Sequence, residues 1–299
     1  NLATALQLQQ KHKEAFEYFK KSYEIEPSEF YLSAAAVGSI NAESWHNAIV
    51  YYQKLIIAHP EKQNFQYNLA TAYQQTGKYN EAIKLLTQLV ATNPKSVAMG
   101  QRLADCYEKT GNLQMAKNTY TNLIRLGKIP ADVYYRYAIL CMKTDDKDKA
   151  ETIFKKVIQL DPKNPYAHKD LGVVYLSQRL FDYAKEEFET AYKMAPEDSA
   201  VVFEMANFYH AMNDFQKAKE LYEKAFKLAP EVMDIAVFRA INYLRLNEID
   251  TALELFLDAM KKYPSQHIIL FNIGLIYYQK GNFDAAKEFL SDAYSLYQD

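Results

Sequence analysis

Prolines at a nearly constant interval constrain this chain more than any other feature of its sequence. Eight of its nine prolines follow one another at intervals of 32 to 36 residues, at Pro27, Pro60, Pro94, Pro130, Pro162, Pro196, Pro230 and Pro264. Proline interrupts a helix because it lacks a backbone N–H and its ring clashes with the preceding turn. Helix breakers at a fixed period of about 20–50 residues predict an array of short repeated units.

Other positions keep the same period between the prolines. Small residues recur at Ala70, Ala104, Ala138, Gly172, Ala206, Ala240 and Gly274. A second column holds alanine, at Ala48, Ala82, Ala116, Ala150, Ala184, Ala218, Ala252 and Ala286. Apolar residues at i, i+3, i+4 and i+7 favour helix over strand, and small residues let two helices cross closely. Each unit is therefore predicted to be two short amphipathic helices joined by a turn such as Thr76-Gly77-Lys78.

On these residues the chain resembles the tetratricopeptide repeat (TPR) family, whose pattern joins Leu, Gly or Ala, Tyr, Ala, Phe and Pro at such spacings. The stretch Leu171-Gly172-xx-Tyr175, followed by Ala184-xxx-Phe188, matches that pattern closely. The early Trp of the family pattern is absent here. The resemblance covers the whole chain and implies an all-α, right-handed superhelical solenoid of about nine helix–turn–helix units.

Residues 1–299 are predicted to form a single array. The expected units are 1–29, 30–62, 63–96, 97–130, 131–164, 165–198, 199–232, 233–266 and 267–299. The first and last are expected to be incomplete, and the chain to be a fragment, because the last helix, Phe283 to Tyr297, lacks a following helix to cover it. The cytoplasm is slightly favoured as the compartment, with a periplasmic or membrane-anchored protein as the alternative if a segment precedes Asn1.

Composition excludes several classes of protein. With 49% hydrophobic and 24% charged residues the chain is neither disordered nor membranous. Its net charge of −2 provides no basic field for nucleic acid or anionic lipid. No apolar run approaches the about 18–20 residues of a membrane-spanning helix, so direct membrane insertion is not expected.

Motifs that carry chemistry are missing from the sequence. There is no glycine-rich phosphate loop, and the six histidines have no metal-ligand spacing. Cys106 and Cys141 cannot form a disulfide framework and are expected to be buried thiols. The acidic run from Asp145 to Asp148 is expected to be a solvated turn rather than a calcium loop. Neither catalytic residues nor a cofactor or metal are expected, and the chain is predicted not to be an enzyme.

The resemblance places the first helix of each unit on the concave wall of the solenoid. Residues of that helix outside the core columns should face the groove, and along the chain they change from polar to apolar. The candidate partner-binding residues are Tyr67, Asn68, Arg102, Tyr135, Arg136, Lys169, Asp170, Val173, Leu176, Phe203, Glu204, Asn207, Val237, Ile241, Leu244, Phe271, Leu275 and Tyr278.

Within the polar part of this wall, Arg102 has Asp105 at i+3 and is expected to pair with it. Arg136 is expected to pair either with Asp132 along its own helix or with Asp170 of the next unit. These pairings would account for the two arginines without any ligand.

The apolar part of the wall, from Val173 to Tyr278, predicts that a protein partner docks a peptide or amphipathic helix in the groove. The alternative is that the curvature of the array, or a further segment of the chain itself, already fills the groove. Two other functions stay open at this point. One is an accessory or substrate-recognition segment of a larger enzyme or of a membrane-anchored assembly protein; the other is self-association through the uncovered last unit.

Overall fold

The structure is a computed structural model that describes residues 2–127 and 129–298, and in these residues it contains eighteen α-helices and no strand. The chain divides into two compact units, Asn1–Asp145 and Asp146–Asp299. The predicted all-α class is confirmed. That residues 1–299 form one continuous array stays a prediction.

The first unit contains four helical hairpins and one further helix. Its elements are α1 (Leu2–Leu8), α2 (His12–Ile25), α3 (Glu29–Asn41), α4 (Trp45–Ala58), α5 (Gln63–Gln75), α6 (Tyr79–Thr92), α7 (Val97–Lys109), α8 (Leu113–Arg125) and α9 (Ala131–Lys143). Each odd-numbered helix, called a first helix below, is followed after a short turn by an even-numbered second helix.

The second unit mirrors this order, with one helix followed by four hairpins. Its elements are α10 (Lys147–Leu160), α11 (Pro165–Ser177), α12 (Phe181–Met194), α13 (Ser199–Ala211), α14 (Phe215–Leu228), α15 (Met233–Arg245), α16 (Ile249–Lys262), α17 (His267–Gln279) and α18 (Phe283–Gln298). Some of the first helices have an N-cap residue whose side chain accepts hydrogen bonds from the first backbone N–H groups. Asn164 accepts hydrogen bonds from the backbone N–H groups of Tyr166 and Ala167, and Asp198 caps α13 in the same way.

A residue with positive φ follows every first helix in its turn to the second helix. These residues are Gln10, Glu43, Gly77, Gly111, Asp145, Arg179, Asn213, Asn247 and Gly281. Left-handed backbone is unfavourable for residues that carry a Cβ atom, yet only three of the nine are glycine. The packing of the two helices therefore imposes the left-handed turn. This explains how a chain with only 8 glycines forms nine such turns among its described residues.

The core of each hairpin contains the two columns of small residues that repeat in the sequence, one on the first helix and one on the second. Alanines such as Ala184, Ala218 and Ala252 are fully buried where the second helix meets its first helix. A large side chain four residues later fills the space beside them. At Gly172 a Cβ atom would lie 2.9 Å from ring carbon Cε1 of Phe188, so α11 and α12 approach too closely for alanine without a shift. The two predicted columns of small residues are buried in every hairpin in which the sequence placed them.

No helix in the described parts of the chain combines the length and the apolar character needed to cross a lipid bilayer.

Candidate functional site

The candidate residues lie on the first helices, and together we call them the first-helix wall. Five of them, from Tyr67 to Arg136, lie on α5, α7 and α9 of the first unit. The other thirteen, from Lys169 to Tyr278, lie on α11, α13, α15 and α17 of the second unit. The wall is thus two groups of residues, which differ in chemistry.

In the first unit, polar side chains of neighbouring first helices contact one another. The Arg102 guanidinium lies 5.2 Å from the ring centroid of Tyr67, and its Nε donates to the Tyr67 hydroxyl at 3.3 Å. Its Nη1 donates to Gln74 Oε1. Asn68 donates from Nδ2 to the hydroxyl of Tyr52 at 3.0 Å. The expected pairing of Arg102 with Asp105 is wrong, because the preceding first helix, α5, offers Arg102 both an aromatic face and an amide oxygen.

Asp105 instead serves two other groups. Arg136 of α9 forms an ion pair with it, at 3.3 Å between Nη1 and Oδ1. The buried Tyr120 of α8 donates its hydroxyl to the same carboxylate at 3.3 Å. Tyr135, the neighbour of Arg136, is half-buried on α9. The charged groups of this part of the wall therefore hold adjacent repeats together.

In the second unit, the polar end of the wall is partly buried. Lys169 Nζ lies 2.8 Å from Asp170 Oδ1, and the Asp170 side chain is buried. Asp170 was predicted to face a partner, and that prediction is wrong because its carboxylate is enclosed in the wall. Glu204 accepts a hydrogen bond from Asn207 Nδ2 at 3.1 Å, and Asn207 Oδ1 accepts one from the hydroxyl of Tyr222 at 2.7 Å.

Burial raises the pKa of the Glu204 carboxyl above its ordinary value of 4.5, and the hydrogen bond from Asn207 and the charge of Lys169 only partly oppose this rise. The folded state therefore binds the Glu204 proton more tightly than the unfolded state does. Stability from this group is fully present below the unfolded pKa and is lost as the pH rises through the folded pKa. At neutral pH the ionised Glu204 destabilises the second unit.

Glu204→Gln is accordingly expected to increase the free energy of unfolding at pH 7, because glutamine is neutral and still accepts from Asn207. The gain should shrink towards zero below about pH 4.5, where glutamic acid is neutral as well. Urea unfolding followed by circular dichroism at both pH values measures the difference. A variant that is no more stable than the native chain at pH 7 would refute the assignment.

The rest of this part of the wall is apolar. Phe238 on α15 is 40% exposed and Leu275 on α17 is 43% exposed. Phe271 and Tyr278 of α17 are exposed as well. The half-buried candidates are Val173, Leu176, Phe203, Ile241 and Leu244. Among the described residues no segment covers these exposed side chains, so the wall is not filled by that part of the chain.

One apolar candidate is wrong. Val237 is only 3% exposed, because it packs in the core cluster that contains Ile269 and Ile273 of the next first helix. Its neighbour Phe238 takes the surface position instead. Phe238 packs edge-to-face against Phe203, with ring centroids 5.7 Å apart, so residues of adjacent first helices meet across the wall. The distinction between the two neighbours depends on how far each first helix is rotated, which the repeat spacing does not specify.

The polarity of a wall residue is coupled to the identity of the large core residue on the second helix of the same hairpin. From α8 to α16, where the large residue four positions after the second-helix alanine is tyrosine, the wall residue fifteen positions before it is polar, and where it is phenylalanine that wall residue is apolar. The first two hairpins depart from this pattern, since Phe19 follows Thr4 at that spacing and Tyr52 follows Val37 and bonds to Asn68 instead. The four clearest pairs are Tyr120 with Asp105, Tyr222 with Asn207, Phe188 with Val173 and Phe256 with Ile241. A buried hydroxyl needs a partner, and Asp105 and Asn207 provide it. Both residues are thereby explained as structural partners, without any ligand.

The described residues contain no group of three or more His, Cys, Asp or Glu side chains that could hold a metal ion. Burial raises the pKa of the Cys106 thiol to about 11, and such a thiol is a poor nucleophile at neutral pH.

Family models match most of the chain. Tetratricopeptide repeat models match residues 1–29, 40–99, 75–126 and 238–299. A model described as the middle TPR-like domain of cilia and flagella-associated protein 70 matches residues 101–229. No curated protein matches the chain.

Solved structures with the same fold are numerous. A tetratricopeptide repeat protein from Parabacteroides merdae has 19% identity and a TM-score of 0.68, over 86% of this chain and 99% of that one. A chain of the APC/C hetero-tetramer Cut9–Hcn1 has 15% identity and a TM-score of 0.61, over 92% of this chain and 54% of that one. Yeast Tom70 has 14% identity and a TM-score of 0.54, over 98% of this chain and 90% of that one. At these identities the likeness concerns the fold alone.

Proposed function

The chain belongs to the tetratricopeptide repeat family, and from this membership we propose that its second unit binds an apolar peptide or amphipathic helix of a partner protein. Solenoids of this family are generally scaffolds for protein–protein interaction, and they are typically non-enzymatic. We place the binding surface on the first helices of the second unit, as the sequence predicted, with Phe238 in place of Val237.

The observation that carries the proposal is the exposure of Phe238 and Leu275 on neighbouring first helices. Half-buried Ile241 and Leu244 of α15 extend the same apolar surface. An exposed apolar surface is a common mark of a protein interaction site, and an amphipathic helix can cover it with residues at i, i+3, i+4 and i+7. Burial of apolar area on such a partner contributes about 25 cal/mol per Å² before the cost of ordering the partner.

The charge of the chain supports a protein partner over nucleic acid. The net charge is −2, and in the first unit the wall residues Arg102 and Arg136 contact Tyr67, Gln74 and Asp105. A phosphate backbone is held by clustered Lys and Arg side chains, and this wall pairs its arginines with acidic and aromatic groups instead.

A direct test selects peptides from a phage-displayed random library on the immobilised chain and measures their affinity by fluorescence anisotropy. Phe238→Asp combined with Leu275→Asp should weaken the binding of a selected peptide at least about tenfold, equivalent to about 1.4 kcal/mol. Both side chains are exposed, so the circular-dichroism spectrum should not change. Phe203 is a poorer position to test because its ring also packs on Tyr222.

The control is Tyr183→Asp, which alters an exposed aromatic residue, at 59% exposure, on the second helix α12. It should leave the affinity within about twofold of the native value. If no peptide is enriched, or if the double variant binds as tightly as the native chain, the proposed function is wrong.

A further inference from the structure

A polar pair interrupts the apolar part of the wall in the second unit. His210 of α13 and Asn242 of α15 lie on adjacent first helices, with 2.9 Å between His210 Nδ1 and Asn242 Oδ1. Asn242 is fully buried, and the corresponding residues on the other three first helices of this unit are apolar and buried, namely Val174, Phe208 and Ile276. A buried amide costs free energy unless it is hydrogen-bonded, so this exception to an apolar column needs a physical reason.

The hydrogen bonds of Asn242 assign the tautomer of His210. Asn242 Nδ2 donates to the backbone carbonyl of Phe215 at 2.9 Å. Because a carbonyl can only accept, this contact identifies the nitrogen of the amide and leaves Oδ1 towards the imidazole. Oδ1 can only accept as well, so His210 Nδ1 carries the hydrogen. In a neutral imidazole the other nitrogen is then an acceptor, and in His210 that nitrogen is Nε2.

Nε2 of His210 is held in one direction and is available to a ligand. The imidazole packs edge-on against the rings of Phe215 and Tyr222, with ring centroids 5.2 Å and 6.3 Å away. Nε2 has no hydrogen-bond partner among the described residues, and it is not one of their enclosed, unpaired atoms. The corresponding residues on α11 and α15 are the half-buried Leu176 and Leu244 of the wall. One oriented acceptor therefore lies within an apolar surface.

Given the peptide binding proposed for the second unit, on which this inference rests, we infer that His210 determines which peptides bind. Its Nε2 accepts a hydrogen bond from a side-chain N–H or O–H group of the peptide, next to the apolar residues that cover the wall. An apolar peptide without this donor would remove water from Nε2 and leave it unpaired, which costs free energy. An unpaired polar group discriminates between ligands more strongly than a missing methylene does. Asn242 is polar because it holds this acceptor in place.

The test uses the tightest peptide selected from the phage library on the native chain, with fluorescence anisotropy at about pH 8, which keeps histidine neutral. Each side-chain donor of the peptide is replaced in turn by a non-donor of similar shape, such as Ser by Ala, Thr by Val, Gln by Met or Tyr by Phe. One replacement should weaken binding to the native chain at least about fivefold. The same replacement should change the affinity for His210→Leu combined with Asn242→Ile by less than about twofold, because this double variant has no acceptor.

The double variant reproduces a pair that the chain already contains, Leu244 with Ile276 of the next first helix. Replacing two bonded polar groups by apolar groups of similar shape is nearly neutral for stability. Urea unfolding of the double variant should therefore have about the same midpoint as that of the native chain. A much less stable double variant would mean that the buried pair serves the fold, and the inference would be wrong.

The matched control is His267→Leu, which makes the same change at an exposed histidine of another first helix, α17. The control should keep the native preference for the donor. If no replacement in the peptide distinguishes the native chain from the double variant, or if the control loses the preference too, the role of His210 is wrong although peptide binding on the wall stands. If no peptide is enriched on the native chain, the proposed function and the role of His210 are wrong together.

Discussion

Replacing Phe256 with alanine should lower the free energy of unfolding of the second unit by about 3–5 kcal/mol. Phe256 is fully buried on α16, in a cluster with Val237, Ala240 and residues of α17. The substitution removes the transfer free energy of the ring and leaves a cavity between two hairpins. In a repeat array, stability is a sum of repeat and neighbour contributions, so both hairpins should lose stability. Urea unfolding followed by circular dichroism measures the loss.

Phe283→Ala is the control, since Phe283 is 63% exposed on the neighbouring second helix. It should change the unfolding free energy by about 0.5 kcal/mol or less. A loss at Phe256 no larger than that at Phe283 would mean that the large side chains four residues after the second-helix alanines do not form the core of the array.

The second large effect concerns the hydroxyl of Tyr222. Asn207→Val should cost about 1–3 kcal/mol, because it leaves this buried hydroxyl without its acceptor. Tyr222→Phe in the same chain should restore much of the loss, since the pair then matches Val173 and Phe188 of the preceding hairpin. Burial also raises the pKa of the Tyr222 hydroxyl, with the nearby Glu204 charge adding to the rise, so the neutral hydroxyl is the form that must be satisfied.

A double-mutant cycle gives the coupling of the two positions, which should be about 1–2 kcal/mol and favour the matched pairs. If the effects of Asn207→Val and Tyr222→Phe simply add, the tyrosine and the asparagine do not act as a unit, and Asn207 would again be available for a partner.

Much of the fold is predictable from the sequence because helix breakers and small residues repeat at one period. The last helix was predicted as Phe283 to Tyr297 and is observed as Phe283–Gln298. The repeated columns do not specify where a first helix begins. Helix α5 starts at Gln63, only three residues after Pro60, which lies in the turn between hairpins.

The surface was less predictable, because a period of 34 residues locates a side chain on a helix without giving the rotation of that helix. Val237 and Phe238 are adjacent, and only packing against α17 decides which of them is buried. Charged residues were misassigned for a similar reason. Arg102 was matched with Asp105 on its own helix, and Arg136 with Asp132 on its own helix or Asp170 of the next unit. In the structure each arginine contacts the first helix of the preceding repeat instead.

The most direct test of the proposed binding surface is photo-cross-linking with p-benzoylphenylalanine. The reactive residue is placed at position 238 in one variant and at position 183 in another, and each is irradiated with a selected peptide. We expect the peptide to be cross-linked from position 238 on the first helix and not from position 183 on the second helix. Cross-linking from position 183 alone, or equally from both positions, would contradict binding on the first-helix wall.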